Sequence, residues 1–213
     1  MLYSRAQGEP LAGTGAAGAY GLRYSVDGDL VILDGKLFDG TGEGVVAETA
    51  LTVIPEAARP AARLVFARPA QKTGNQSVRV DVLPSGEVVL AGPAEDFEDT
   101  WLTGMAFSPT VGDPLALPEG IQPAAGFSAP EVIRRGDIIA LSGVLAPTGD
   151  AMAKGTTVAT LAEADRLAKR LVFVVAQEGG TARVDVLPDG RLLYVDGAPG
   201  ATWLSLSGIV FAN

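Results

Sequence analysis

The chain has 213 residues and a formal net charge of -9, and it contains neither cysteine nor histidine. These absences exclude disulfides, Cys/His zinc sites, haem attachment and the Ser-His-Asp and Cys-His catalytic groups. The negative charge disfavours binding to nucleic acid, and no apolar run has the length of a membrane span, so we expect neither nucleic-acid binding nor membrane insertion.

The first segment of the chain is rich in glycine and alanine. Residues 1–20 show no hydrophobic periodicity, which predicts an N-terminal arm that anchors the protein to a partner. The spacing G-x-G-x-x-G occurs between Gly13 and Gly18, but only twelve residues precede it and Gly21 soon follows. This context does not fit a dinucleotide-binding turn, so we expect no cofactor.

The remainder of the chain repeats itself. Four blocks recur in the same order: residues 28–35 and 136–143, 63–66 and 170–173, 79–86 and 183–190, and 100–107 and 202–211. A period of this length corresponds to a small β domain and not to a solenoid unit. We interpret the chain as a tandem duplication, with one domain at residues 21–108 and a second at residues 127–213.

Within each copy, short blocks have the pattern of β-strands. Val80 and Val82 alternate with Arg79 and Asp81, which predicts one buried face and one face in contact with solvent. A Pro-Ser-Gly or Pro-Asp-Gly turn follows and predicts a hairpin. With about six to eight such strands per copy, we expect an all-β fold of two tandem antiparallel β-sandwiches that are jelly-roll-like.

Only one stretch, residues 161–170, has a helix-like composition. Its counterpart in the first copy contains Pro55 and Pro60. Because proline interrupts a helix, a fold shared by both copies has no long helix at this place.

A cluster of carboxylates precedes the end of the first copy. Glu95, Asp96, Glu98 and Asp99 lie within five residues, and they are the candidate metal ligands of the chain. Such a cluster is suited to Ca²⁺, or to a carboxylate pair for glycoside hydrolysis. Its spacing is not that of a known calcium loop and the second copy lacks it, so a solvated acidic loop is the preferred interpretation. We predict no catalytic residue.

Proline and glycine dominate the segment between the two copies. Residues 109–126 contain Pro109, Pro114, Pro118 and Pro123. This composition does not sustain a helix and predicts an extended linker between two domains.

The two tryptophans, Trp101 and Trp203, occur one per copy at matched positions. Each is suited either to stacking on a sugar ring or to closing one end of its sandwich. The apolar alternation that follows both residues favours packing in the core.

Several of these blocks are similar to a known group of proteins. Residues 51–60 run from an apolar strand into a proline-rich turn, residues 63–67 and 78–86 form strand blocks, and residues 202–211 read TWLSLSGIVF. This pattern resembles the β-sandwich tip domains of tailed-phage fibres and of the related head spikes of gene transfer agents. The resemblance implies a virion surface protein that is trimeric in a fibre or pentameric at a capsid vertex. It also implies contacts with other virion proteins and with host-surface polysaccharide, without catalysis.

The leading hypothesis is therefore a non-enzymatic structural protein of a phage-like particle, synthesised in the bacterial cytoplasm and displayed on the particle surface. The alternative is a stand-alone carbohydrate-binding module or lectin. A glycosidase that uses the carboxylate cluster is the least favoured hypothesis, because two catalytic carboxylates must face each other across a cleft.

Overall fold

The structure is a computed structural model that describes residues 8–15, 17–42, 45, 47–71, 77–91, 97–149 and 151–213. These residues form antiparallel strands and two short 3₁₀ turns, and they contain no α-helix. The expected all-β class is confirmed.

Nine strands form the first half of the molecule: β1 (Glu9–Pro10), β2 (Ala17–Asp27), β3 (Leu30–Asp39), β4 (Ala50–Val53), β5 (Leu64–Gln71), β6 (Ser77–Val82), β7 (Glu87–Ala91), β8 (Asp99–Trp101) and β9 (Met105–Phe107). They form one sheet in the order β1-β2-β3-β8-β5-β6-β7-β4, and β9 pairs with β3. A bridge between Gly13 and Thr52 brings the two ends of this order together. The sheet therefore curls around a core that includes Leu33, Phe66 and Phe107.

Eleven strands form the second half: β10 (Asp113–Pro114), β11 (Ile121–Pro123), β12 (Glu131–Arg135), β13 (Ile138–Ser142), β14 (Val144–Pro147), β15 (Thr157–Thr160), β16 (Leu171–Gln177), β17 (Gly180–Val186), β18 (Arg191–Asp196), β19 (Leu204–Ser205) and β20 (Val210–Ala212). They form one sheet in the order β10-β12-β13-β20 and another in the order β11-β14-β19-β16-β17-β18-β15. The core between them includes Leu141, Val184 and Tyr194.

Both halves contain the same run of paired strands. The order β5-β6-β7-β4 of the first half corresponds to β16-β17-β18-β15 of the second, and β4 and β15 each contain a register shift. A 3₁₀ turn follows at Glu56–Ala58 and at Glu163–Asp165, which confirms that no long helix forms there. The two halves share this wiring, and their origin by duplication remains our interpretation of the sequence.

The predicted arm and linker contribute strands to the sheets. Strand β1 pairs with Arg23 and Tyr24, and β10 makes the corresponding pairs with Glu131 and Val132. Strand β2 also crosses the expected boundary at residue 20, and β11 lies inside the expected linker. Proline is tolerated in such short edge strands, because its missing N–H can face away from the partner. Residues 1–7 of the predicted arm lie outside the described residues.

The face of β6 that carries Arg79 and Asp81 was expected to contact solvent, but other side chains cover Asp81 on this face. Asp81 is fully buried, and Arg63 Nε and Arg79 Nη2 each lie 2.6 Å from its Oδ2. In the second half, Asp185 is equally buried and pairs with Arg170 and Arg183. The expectation was therefore wrong for the two aspartates, which arginine side chains cover, whereas Arg183 on the same face of the second half is exposed.

Candidate binding surfaces

The two halves dock sheet against sheet. Val65 on the outer face of β5 is fully buried against small apolar residues of the second half, which are Ala124, Val144 and Ala176. Ser205 Oγ donates a hydrogen bond to the main-chain oxygen of Val65 at 2.6 Å. Small side chains permit this close approach between strands. We call this arrangement the inter-half contact.

Two aromatic rings of the second half extend the inter-half contact. The Trp203 ring lies 4.9 Å from the guanidinium carbon of Arg79, and the Phe127 ring lies 5.8 Å from that of Arg63. Such stacking of a cation on a ring contributes about 0.5–1 kcal/mol at partly exposed sites. Trp203 is thus half-buried between the halves. The expectation that it packs inside its own sandwich was wrong.

The first half carries three exposed aromatic side chains on one outer sheet face. Tyr20 is 72% exposed, Trp101 44% and Phe38 37%. Tyr20 is paired with Lys36 across β2 and β3, and Lys36 is paired with Trp101 across β3 and β8, so all three side chains share a face. We call Tyr20, Phe38 and Trp101 the aromatic face. The expectation of core packing was wrong for Trp101.

Contacts from neighbouring residues hold the aromatic face in place. Lys36 Nζ lies 5.7 Å from the centre of the Trp101 ring and 2.5 Å from Asp99 Oδ2. Arg68 Nε donates to the main-chain oxygen of Trp101 at 2.8 Å, and burial lowers the pKa of Arg68. The Phe38 ring lies directly over Gly18, where a Cβ atom would come within 2.2 Å of it. Trp101 and Phe38 are therefore held in place on the outer face of the sheet.

The two tryptophans do not occupy corresponding places. Leu102 N donates to Gly35 O at 2.9 Å, and Leu206 N donates to Gly143 O at the same distance. Trp101 therefore corresponds to Ser205, because each immediately precedes one of these leucines. The corresponding positions are then 104 residues apart, as they are at Arg79 and Arg183 and at Phe107 and Phe211, so the two-residue gap that the sequence alignment placed after the tryptophan does not exist.

The second half has an exposed apolar surface of its own. Val172 is 53% exposed and Val174 is 67% exposed on the outer face of β16, where they pair with Asp185 and Arg183 of β17. We call Val172, Val174, Arg170 and Arg183 the valine strip. Burial raises the pKa of Asp185, but hydrogen bonds from Arg183 and Arg170 outweigh this effect, so the net pKa is lowered. The aspartate therefore stays ionised and keeps both arginines in place.

The four candidate metal ligands are only partly covered by the structure. Glu95 and Asp96 lie outside the described residues. Glu98 is exposed, whereas the adjacent Asp99 is buried and paired with Lys36. Among the residues that the structure describes, no group of three or more potential ligands comes together. Sequence reasoning did not find the aromatic face or the valine strip, because their exposure depends on which sheet faces are docked.

No family model, curated protein or solved structure matches this chain. In the described part of the chain, no helix has the length and apolar character needed to cross a membrane. The functional assignment therefore depends on the two exposed surfaces.

Proposed function

We propose that this chain is a non-enzymatic structural protein of a phage-like particle or gene transfer agent, either a fibre or a head spike. It assembles with copies of itself and with other virion proteins on the particle surface, as a trimer or as a pentamer at a capsid vertex. There it attaches the particle to host-surface glycan. The observation that carries this proposal is that one chain exposes both the aromatic face and the valine strip.

Two such surfaces on one chain are characteristic of a subunit. Large exposed apolar patches on folded proteins usually mark interaction sites. The inter-half contact shows that a sheet face with the same valine and arginine pattern becomes buried when a partner sheet is present. A symmetric oligomer would then present repeated weak glycan sites, whose combined avidity exceeds the affinity of any single site.

The test uses particles produced with and without this protein. We expect the protein to co-sediment with purified particles in several copies, and adsorption to host cells to fall by about tenfold or more without it, because multivalent attachment is lost. Host cells stripped of surface polysaccharide are the control and should show no difference between the two kinds of particle. Absence of the protein from particles, or unchanged adsorption without it, would refute the proposal.

The aromatic face also favours a second candidate function, that of a stand-alone lectin. Exposed rings on a sheet face are suited to stacking on a sugar, and the polar side chains of Lys36 and Asp99 lie beside them. Calorimetric titration with host polysaccharide distinguishes the two functions. Glycan binding by a monomer, lost on Trp101→Ala and unrelated to particles, would establish the lectin.

A further inference from the structure

The inter-half contact is asymmetric, because each half uses a different part of its outer sheet face; Ala176, which is buried in the contact, follows Val172 and Val174 on the same face of β16. The first half contributes Val65 and Ala67 with Arg63 and Arg79. The second half contributes a face of small residues on β14, β16 and β19 with the Phe127 and Trp203 rings at its side. A contact between two different surface patches is heterologous, and repetition of such a contact generates rings or filaments.

In the first half, Val65, Ala67, Arg63 and Arg79 form the surface on which the second half packs, and we call it the receiving surface. The second half carries the same surface, but nothing packs on it within the chain. Val65 pairs with Asp81 and Ala67 pairs with Arg79; in the second half, Val172 pairs with Asp185 and Val174 with Arg183. The aspartate is fully buried between two arginines in both halves. Val65, which follows Arg63 and Leu64, is fully buried in the first half, whereas its counterpart Val172 is 53% exposed. The valine strip is thus an uncovered copy of a surface whose cover is known.

The aromatic face of the first half corresponds to the part of the second half that covers the receiving surface, and nothing packs on it within the chain. Its members occupy the places of residues that are buried in the inter-half contact: Lys36 corresponds to Val144, and Trp101 corresponds to Ser205. In the first half, Trp101 is 44% exposed and the Lys36 side chain is 27% exposed. Lys36 is already neutralised by Asp99, so it brings no unpaired charge to a partner.

We propose that chains associate head to tail, with the aromatic face of one chain covering the valine strip of the next. This inference rests on the proposed structural role and names the partner as a second copy of this chain. The packing differs in detail from the inter-half contact, because Trp101 is much larger than the Ser205 that it replaces. We expect the rings to stack on Arg170 and Arg183, but from positions that differ from those of Phe127 and Trp203 over Arg63 and Arg79.

The first experiment measures the mass of the full chain by sedimentation velocity over a concentration series. We expect an oligomer, and we expect Val174→Asp or Trp101→Ala to raise the dissociation constant by about tenfold or more, since both sites are central to the contact. Val111→Asp is the matched control, because Val111 is 78% exposed and lies on neither surface. It should leave the oligomer intact.

The second experiment determines which faces meet. The chain has no cysteine, so introduced thiols are its only ones. An equimolar mixture of Trp101→Cys and Val174→Cys chains is oxidised, and the mixed disulfide should exceed either homodimer. A Val65→Cys, Ser205→Cys double variant is the positive control within one chain, because Ser205 Oγ lies 2.6 Å from the main-chain oxygen of Val65 across the inter-half contact.

Three results would overturn the inference. They are a monomer at all concentrations, dominance of a Val174→Cys homodimer, and occupation of the aromatic face by glycan in a monomer. A chain that fails these tests but still co-sediments with particles would leave the proposed function standing. Loss of particle association with head-to-tail oligomers intact would refute the function alone.

Discussion

Replacing Trp203 tests the energetic role of the inter-half contact. The ring is half-buried, lies 4.9 Å from the Arg79 guanidinium and is 6.1 Å from the Phe127 ring. Tryptophan to alanine at a fully buried site costs about 3–5 kcal/mol, so a half-buried ring accounts for about 2 kcal/mol. The lost cation–ring contact adds about 0.5–1 kcal/mol. We expect Trp203→Ala to lower the free energy of unfolding by about 2–3 kcal/mol.

Trp101→Ala is the matched control for this measurement. Trp101 is 44% exposed and takes no part in the inter-half contact, so its loss should cost about 1 kcal/mol or less. Urea denaturation followed by circular dichroism gives both values, at a dilution where both variants are monomers. The single tryptophan left in each variant then reports by fluorescence on one region, Trp101 on the first half and Trp203 on the inter-half contact. Equal destabilisation by the two changes, or a loss below about 0.5 kcal/mol for Trp203→Ala, would refute the reasoning.

Three further predictions concern the interior. Tyr194→Phe should cost about 1–2 kcal/mol in urea denaturation, because the buried hydroxyl donates to Gln177 Oε1 at 3.0 Å, and an unchanged midpoint would contradict this. The folded-state pKa of Asp185 is lowered, so its stabilisation is present above pH ~4 and lost as the pH falls further; Asp185→Asn should flatten the acid branch of the stability–pH profile. Gly86→Ala should cost more than Gly104→Ala in thermal denaturation: both have positive φ, but only at Gly86 would a Cβ lie 2.4 Å from a carbonyl oxygen, and equal losses would argue against this strain.

The strands that alternate with a period of two were predictable from the sequence. Val80 and Val82 lie in the core, as their spacing required, and the turn that ends in Gly86 connects β6 to β7. The φ of +89° at Gly86 is a conformation that glycine adopts without strain. These features are decided by residues close together in sequence, and this is why local patterns identified them.

The first strand of each half was missed, although the sequence contains a signal for it. Residues 9–12 read EPLA and residues 113–116 read DPLA, a fifth matching block. Leu11 N donates to Leu22 O, and Leu115 N donates to Pro130 O, at corresponding places. Two-residue strands have no hydrophobic periodicity, so composition alone favoured an arm and a linker.

Exposure of the outer faces could not be predicted, because it depends on docking between sheets. Val65 and Val172 have the same neighbours, Arg-Leu before and Phe after, yet one is fully buried and the other 53% exposed. Asp81 and Asp185, in contrast, are fully buried in both halves, because each is covered by arginines of its own half. The burial of these aspartates is therefore an internal property of each half, whereas the burial of the valine reports on a partner.

That contrast has a consequence for assembly. The halves also meet in a second apolar cluster, which includes Leu30 and Ala106 of the first half and Ile133 and Ala140 of the second, but the heterologous inter-half contact leaves one receiving surface and one covering surface unused. A chain that acts as a monomer is expected to make both faces polar, since exposed apolar patches promote association. This chain instead retains Val172 and Val174 on the receiving surface and places Tyr20, Phe38 and Trp101 on the covering surface. Retention of apolar and aromatic residues on both unused faces favours a further copy as the partner.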